Sequence, residues 1–217
     1  KAKPFYHWAL LNTVLFVFSI SFSIFWIFSK VRIGNKCIKV DVAFDPLSDG
    51  REYEILDELG KNLTILLVKR NALTKTIVPP NINYIECART DGVFTIFQAL
   101  RNSIFAATDM IALYLKYIFT PPSLFYEVIG MPYKRLLVRG LLNKYHFNHF
   151  IGRDEYNVDH IMRKIEFSHT GVKSIGLSGA FFPCFSSLAP NIRYVSFDSY
   201  LVYGAPFYSQ YKNTWDP

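Results

Sequence analysis

An α/β fold, a parallel sheet with flanking helices set behind an amino-terminal apolar helix, follows from three features of this 217-residue chain. Residues 8–29 form an uncharged run of about 22 positions, which at 1.5 Å per residue is long enough to cross a hydrocarbon core. Beyond it, short aliphatic runs alternate with stretches of helical period, the rhythm of a sheet whose strands are joined by helices. Finally, 51% of the residues are hydrophobic and only 19% charged, enough apolar matter to build a large core and too little charge for long disordered tails.

The apolar run comes first. A helix that is apolar on every face is unsuited to the surface of a small soluble domain, so membrane attachment is expected. Asn12, Thr13, Ser19, Ser21, Ser23 and Ser29 dilute it, and its aromatic end would also suit a helix wrapped by protein. It exceeds the apolar core of a signal peptide and leads directly into Lys30, Arg32 and Lys36, which outnumber Lys1 and Lys3 on the other flank. That bias places the following domain on the cytoplasmic face of the inner membrane. Residues 1–36 are accordingly read as an anchor helix with its basic flank, and 37–217 as one α/β domain; two independent cores are not expected.

Residues 39–44 read as a strand, followed by the turn-forming Asp45-Pro46-Leu47-Ser48-Asp49-Gly50. Residues 51–59 carry Ile55, Leu56 and Leu59 on one helical face, with Gly60 closing it. The aliphatic 63–68 has the composition of a strand buried on both faces, and 84–87 forms the next. Residues 93–119 are helical in period, as one helix or two. Their crowded apolar positions are assigned to the core, because Arg101, Asp109 and Lys116 argue against a second span. Residues 132–145 form a basic amphipathic helix, 147–151 a strand, 156–168 a helix, 172–177 a strand and 194–203 the last strand, ahead of a short aromatic helix to Tyr211.

The net charge of +7 suits anionic head groups or a diphosphate ligand, and no nucleic-acid motif accompanies it. Cys37, Cys87 and Cys184 are odd in number and widely spaced, which predicts reduced, mostly buried thiols. His146 and His149 fall on a predicted strand edge facing opposite ways, and His160 and His169 bracket a helix, so no metal site is expected. Neither the dinucleotide fingerprint nor the phosphate loop is present. Candidate chemistry is therefore positional: loops 45–52, 152–157 and 178–182 each follow an apolar strand, where ligands of open α/β sheets collect, and the glycines of the first and third offer backbone amides to an anion.

The stretch Gly171-Val172-Lys173-Ser174-Ile175-Gly176-Leu177-Ser178-Gly179-Ala180-Phe181-Phe182-Pro183, followed by Tyr194-Val195-Ser196-Phe197-Asp198-Ser199-Tyr200-Leu201-Val202-Tyr203-Gly204, resembles bacterial surface-polysaccharide glycosyltransferases built from two Rossmann-like halves, the GT-B type. In that family a strand rises into a His-Gly loop, and the next carries an aromatic-Asp-x-Tyr-x-x-Val-x-Gly pattern. The likeness covers about 50 residues and extends loosely to Gly50-Arg51-Glu52 and 59–68. Ser178 stands where the family has His, which puts that imidazole's role in doubt.

The resemblance implies a Rossmann-like amino-terminal, acceptor-side half, which transfers a sugar from an activated nucleotide donor to a membrane-linked saccharide or lipid acceptor. The nucleotide sugar is then a co-substrate, held by a second domain expected beyond Pro217; the chain opens on Lys1 rather than Met, and a longer natural product is expected. Asp154 or Glu155 would be the base for the acceptor hydroxyl. Arg153 or Arg51 would bind phosphate bidentately, and Ser178 with the Gly179 amide would orient the leaving group or acceptor. Asp45 and Gly50 complete the expected binding loops. The alternative is a non-catalytic, membrane-anchored Rossmann-like binding or assembly subunit, and a third reading is a multispan fragment in which 94–119 also enters lipid.

Overall fold

A computed structural model describes residues 4–34, 36–45, 53–69, 78–152, 158–177 and 197–201. Their elements are α1 (Pro4–Ser29), β1 (Ile38–Lys39), β2 (Val42–Phe44), α2 (Tyr53–Gly60), β3 (Thr64–Lys69), β4 (Asn83–Ala88), α3 (Ile96–Tyr117), α4 (Pro122–Ile129), α5 (Met131–Lys144), β5 (Tyr145–His146), β6 (His149–Gly152), α6 (Val158–Thr170), β7 (Lys173–Leu177) and β8 (Ser199–Leu201). The chain divides into two compact units, residues 1–36 with 90–144 and residues 37–89 with 145–217. Residues 90–144 group with the amino-terminal helix rather than with the strands, and among the described residues apolar clusters occur in both units.

The first unit is helical. Trp26 and Ile27 pack with Phe94, Ala99, Ala106 and Leu136, while Met110, Phe125 and Ile129 form a second cluster beside Phe16 and Tyr114. The Trp26 ring meets Phe94 and Tyr133 edge-on at 5.9 and 5.5 Å. Two polar residues of α1 are used internally. Fully buried Asn12 donates to the carbonyls of Ile118 (2.8 Å) and Thr120 (2.9 Å), groups that the end of α3 leaves without helical partners. Thr13 shares a 3.0 Å hydrogen bond with the Tyr114 hydroxyl.

Most outward positions of α1 are apolar, among them Leu10 at 66% exposed, Phe18 at 66% and Phe25 at 73%. Only 22% of its most hydropathic window is buried, and among the described residues it is the one helix long and apolar enough to cross a membrane. The 93–119 region is a single helix, α3, opened by a capping box between Thr95 and Gln98. Its expected burial is corrected. Only Ala99, Asn102, Ala106 and Met110 are fully inside, while Phe97, Leu100, Ile104, Phe105, Ile111 and Leu115 are exposed. The helix α4, which the sequence reading does not distinguish, starts with Pro122 in its first turn, where a missing N–H costs nothing.

The second unit is α/β. Its six-stranded sheet runs β4-β3-β2-β6-β7-β8, every neighbouring pair parallel, and a two-residue ribbon pairs β1 with β5. The expected 39–44 strand is broken because its hydrogen-bond partner changes: Val40 N–H donates to His146 O (3.0 Å) and Asp41 N–H to Thr64 O (3.0 Å). Alternation then sorts the sheet's faces. Val42, Phe44, Ile65, Leu67 and Ile151 pack with Leu56 of α2 on one face, whereas Phe150 meets Phe167 of α6 on the other, ring centroids 5.1 Å apart. Helices thus flank both faces of the parallel sheet.

Candidate functional site

Numbered by their place in the chain, the six strands lie in the order 3-2-1-4-5-6, so the winding direction reverses between β2 and β6. Loops leaving the carboxyl ends of strands on either side of such a reversal diverge and open a crevice. Phe44 is level with Leu67 and with Ile151, and Gly152 with Gly176, so the three loops singled out from sequence leave the same edge of three adjacent strands, β2, β6 and β7.

Of the predicted site residues, Asp45 alone lies among the described ones. The catalytic candidates Asp154, Glu155 and Ser178, and the binding candidates Gly50, Arg51, Arg153 and Gly179, lie outside them. Asp45 is the first residue past β2, has no exposed surface, and donates its backbone N–H to Ile151 O at 2.9 Å. Its Oδ2 accepts from Arg89 Nη2 at 2.5 Å and from Arg163 Nη1 at 2.9 Å. The other terminal nitrogen of Arg89 donates to Asp159 Oδ2 at 3.0 Å.

Each partner arrives for a local reason. Arg89 follows β4 and is fixed by its N–H on Lys69 O, so its side chain reaches over the end of β3 to β2. Asp159 sits in the first turn of α6, where the helix dipole favours a carboxylate. Arg163, one turn later, lays its guanidinium over the Phe150 ring, 4.9 Å from the centroid. Asp159, Arg89, Asp45 and Arg163 therefore form an alternating chain of charge at the winding reversal. Two guanidiniums on one buried carboxylate suit Asp45 to fixing the carboxyl end of β2 in place.

Sequence reasoning misses Arg89, Asp159 and Arg163. The available signals were an Arg directly after a strand and an Asp and Arg at i, i+4; the apolar pattern of α6 pointed elsewhere. That helix buries His160, Arg163, Glu166 and Phe167, while Ile165 is partly exposed.

The motif that carried the resemblance has a described role at the opposite edge of the sheet. Asp198, just before β8, accepts hydrogen bonds from the Ser174 backbone N–H (2.7 Å) and hydroxyl (2.9 Å) and pairs with Lys164 of α6. Burial alone would raise its carboxyl, but the Lys164 ammonium and the two Ser174 donors outweigh that and hold it at about 2. Tyr200 and Phe197 stack at 6.1 Å and cross Gly176, where a Cβ would lie 2.4 Å from the Tyr200 ring. These residues join β7 to β8.

Of the three thiols, Cys87 is buried as expected, Cys37 is exposed, which corrects the expectation for that residue, and Cys184 lies outside the described residues. His146 belongs to β5 and His149 to β6, so the two ring-bearing positions fall on separate strands. Among the described residues no three His, Cys, Asp or Glu side chains converge as metal ligands. No protein-family model, curated protein or solved structure matches the chain.

Proposed function

We propose that this chain is a membrane-associated, Rossmann-like half of a bacterial surface-polysaccharide glycosyltransferase, supplying the acceptor side of a two-domain cleft at the cytoplasmic face of the inner membrane. The observation that carries the reading is the 3-2-1-4-5-6 order of an all-parallel sheet with three polar loops leaving its carboxyl edge at the reversal. The membrane component is supported by α1, which turns Asn12 and Thr13 inward and leaves Leu10, Val14, Val17, Phe18 and Phe25 exposed, a large apolar surface on one helix.

In this reading the acceptor hydroxyl attacks the anomeric carbon of a nucleotide-diphosphate sugar. The bond from that carbon to the diphosphate breaks, the hydroxyl proton passes to Asp154 or Glu155, and the nucleoside diphosphate departs. Arg153 or Arg51 and the amides at Gly50 and Gly179 are assigned to the phosphates, with Ser178 orienting the acceptor or leaving group. Asp45, clamped by Arg89 and Arg163, is assigned to positioning.

The engagement of Asp45 favours a second reading, a non-catalytic binding or assembly subunit on the same scaffold. One experiment separates the two. The protein expressed from its complete gene is incubated with radiolabelled nucleotide sugars and a membrane-lipid extract, and lipid-extractable label is counted. Incorporation that falls at least a hundredfold in D154N/E155Q supports transfer. Saturable retention of a lipid-linked saccharide without incorporation supports the subunit reading, and neither result overturns both.

A further inference from the structure

We propose that a cationic cavity at the carboxyl end of α1 binds the phosphate-bearing head group of an anionic lipid. The cavity encloses about 580 Å³, and Lys30, Arg32, Lys36 and Lys144 line it together with Asp91 and Gly92. Four basic residues and one acidic residue thus line a half-open space large enough for a phosphodiester head group. Lys30 and Lys144 stand at the carboxyl ends of α1 and α5, where the helix dipole by itself favours a cation. Arg32 and Lys36 belong to no helix, yet line the same space, so dipole compensation does not account for the cluster.

The walls are tied together through the backbone. Arg32 N–H donates to Phe94 O at 2.9 Å and Phe94 N–H to Lys30 O at 3.1 Å, joining the segment after α1 to the one before α3. Val93 N–H donates to Gly140 O at 3.0 Å, and Asn143 Nδ2 reaches Val93 O at 3.2 Å, joining the latter segment to α5. Gly92 lies against Gly140 so closely that a Cβ on Gly92 would stand 2.6 Å from the Gly140 backbone. All these residues belong to one compact unit, so the cations are presented by a framework rather than by a free tail.

The lipid source follows from what adjoins the cavity. Ile33, in its lining, is fully exposed, and Phe25 and Phe28 in the last turns of α1 are exposed as well. A ligand with an anionic head and apolar chains matches this succession of basic and apolar surface; an isolated phosphate matches only the basic part. The assignment rests on the membrane reading of α1 and is independent of glycosyl transfer.

The test uses the whole chain in mild detergent, with native mass spectrometry counting bound lipid during titration with dioleoyl phosphatidylglycerol, dioleoyl phosphatidylcholine or glycerol 3-phosphate. Phosphatidylglycerol is expected to bind one to one, at least about tenfold more tightly than phosphatidylcholine and about a hundredfold more tightly than glycerol 3-phosphate. K30Q/R32Q is expected to weaken phosphatidylglycerol binding about thirtyfold, on the scale of two interfacial charges. R101Q/K116Q removes the same net charge from exposed positions of α3 and is expected to change it less than twofold. Equal affinity for the two lipids, or equal losses in the two double variants, overturns the site, and glycerol 3-phosphate binding as tightly as phosphatidylglycerol overturns its lipid occupant. Flotation with phosphatidylcholine vesicles after alkaline carbonate separately reports whether α1 holds the chain in a bilayer, so failure of the membrane reading is distinguished from failure of the head-group site.

Discussion

Replacing Asp45 by Ala removes a carboxylate that has no exposed surface and that receives both Arg89 and Arg163. Arg163, whose side chain is 9% exposed, then loses this carboxylate while the Phe150 ring remains beneath it. Removing one partner of a buried ion pair in this way costs about 3–5 kcal/mol. R163L is milder, roughly 2 kcal/mol, because Asp45 retains Arg89 at 2.5 Å and the leucine fills part of the vacated volume. The double variant D45A/R163L removes both partners of the pair, so its cost is expected to fall about 2 kcal/mol short of the sum of the singles. Urea titration in mild detergent, followed by hydrogen exchange at the Asp45 amide that donates to Ile151 O, measures all four corners of the cycle. Additivity within about 0.5 kcal/mol, or a D45A cost below about 1 kcal/mol, would refute the claim that this charge chain fixes the carboxyl edge of β2.

Three other outcomes are expected. The stabilisation from Asp198 is fully present above the unfolded carboxyl value of 3.8 and is lost as pH falls from there through about 2, so the protection of the Ser174 amide, its exchange rate relative to the unfolded amide at the same pH, should fall over that interval in wild type and be largely insensitive to it in D198N. N12L leaves the Ile118 and Thr120 carbonyls without their donor and should destabilise the helical unit by about 1–2 kcal/mol in a detergent melt, even though it raises the hydrophobicity of α1; a rise in melting temperature would contradict the role assigned to Asn12. In a C184S background, maleimide should modify exposed Cys37 at least a hundredfold faster than buried Cys87, the rates converging in denaturant, and equal native rates would contradict the described burial.

Which features were legible in the sequence follows from the range of the interactions that produce them. The strand at 64–69 and helix at 53–60 come from uninterrupted aliphatic composition and from a 3.6-residue period closed by glycine, local properties that need no distant partner. The break between β1 and β2 had no such signal, since it arises where hydrogen bonding passes from His146 to Thr64. The grouping of 90–144 with the first helix was hidden for a similar reason. An apolar helix such as α3 has the same pattern whether its outward face meets a protein core or stays exposed, and only its neighbours show which.

By itself the sequence determined an apolar amino-terminal helix, a parallel α/β sheet, and polar loops following its strands, because chain-local periodicity and turn chemistry suffice for these. Tertiary structure decided that β2, β6 and β7 stand side by side, that Arg89 and Arg163 meet on Asp45, and that the Asp198 motif fastens β8 to β7. Arg163 and Asp45 are separated by 118 residues, and such a pairing is specified by strand order and helix docking, neither of which leaves a periodic trace along the chain.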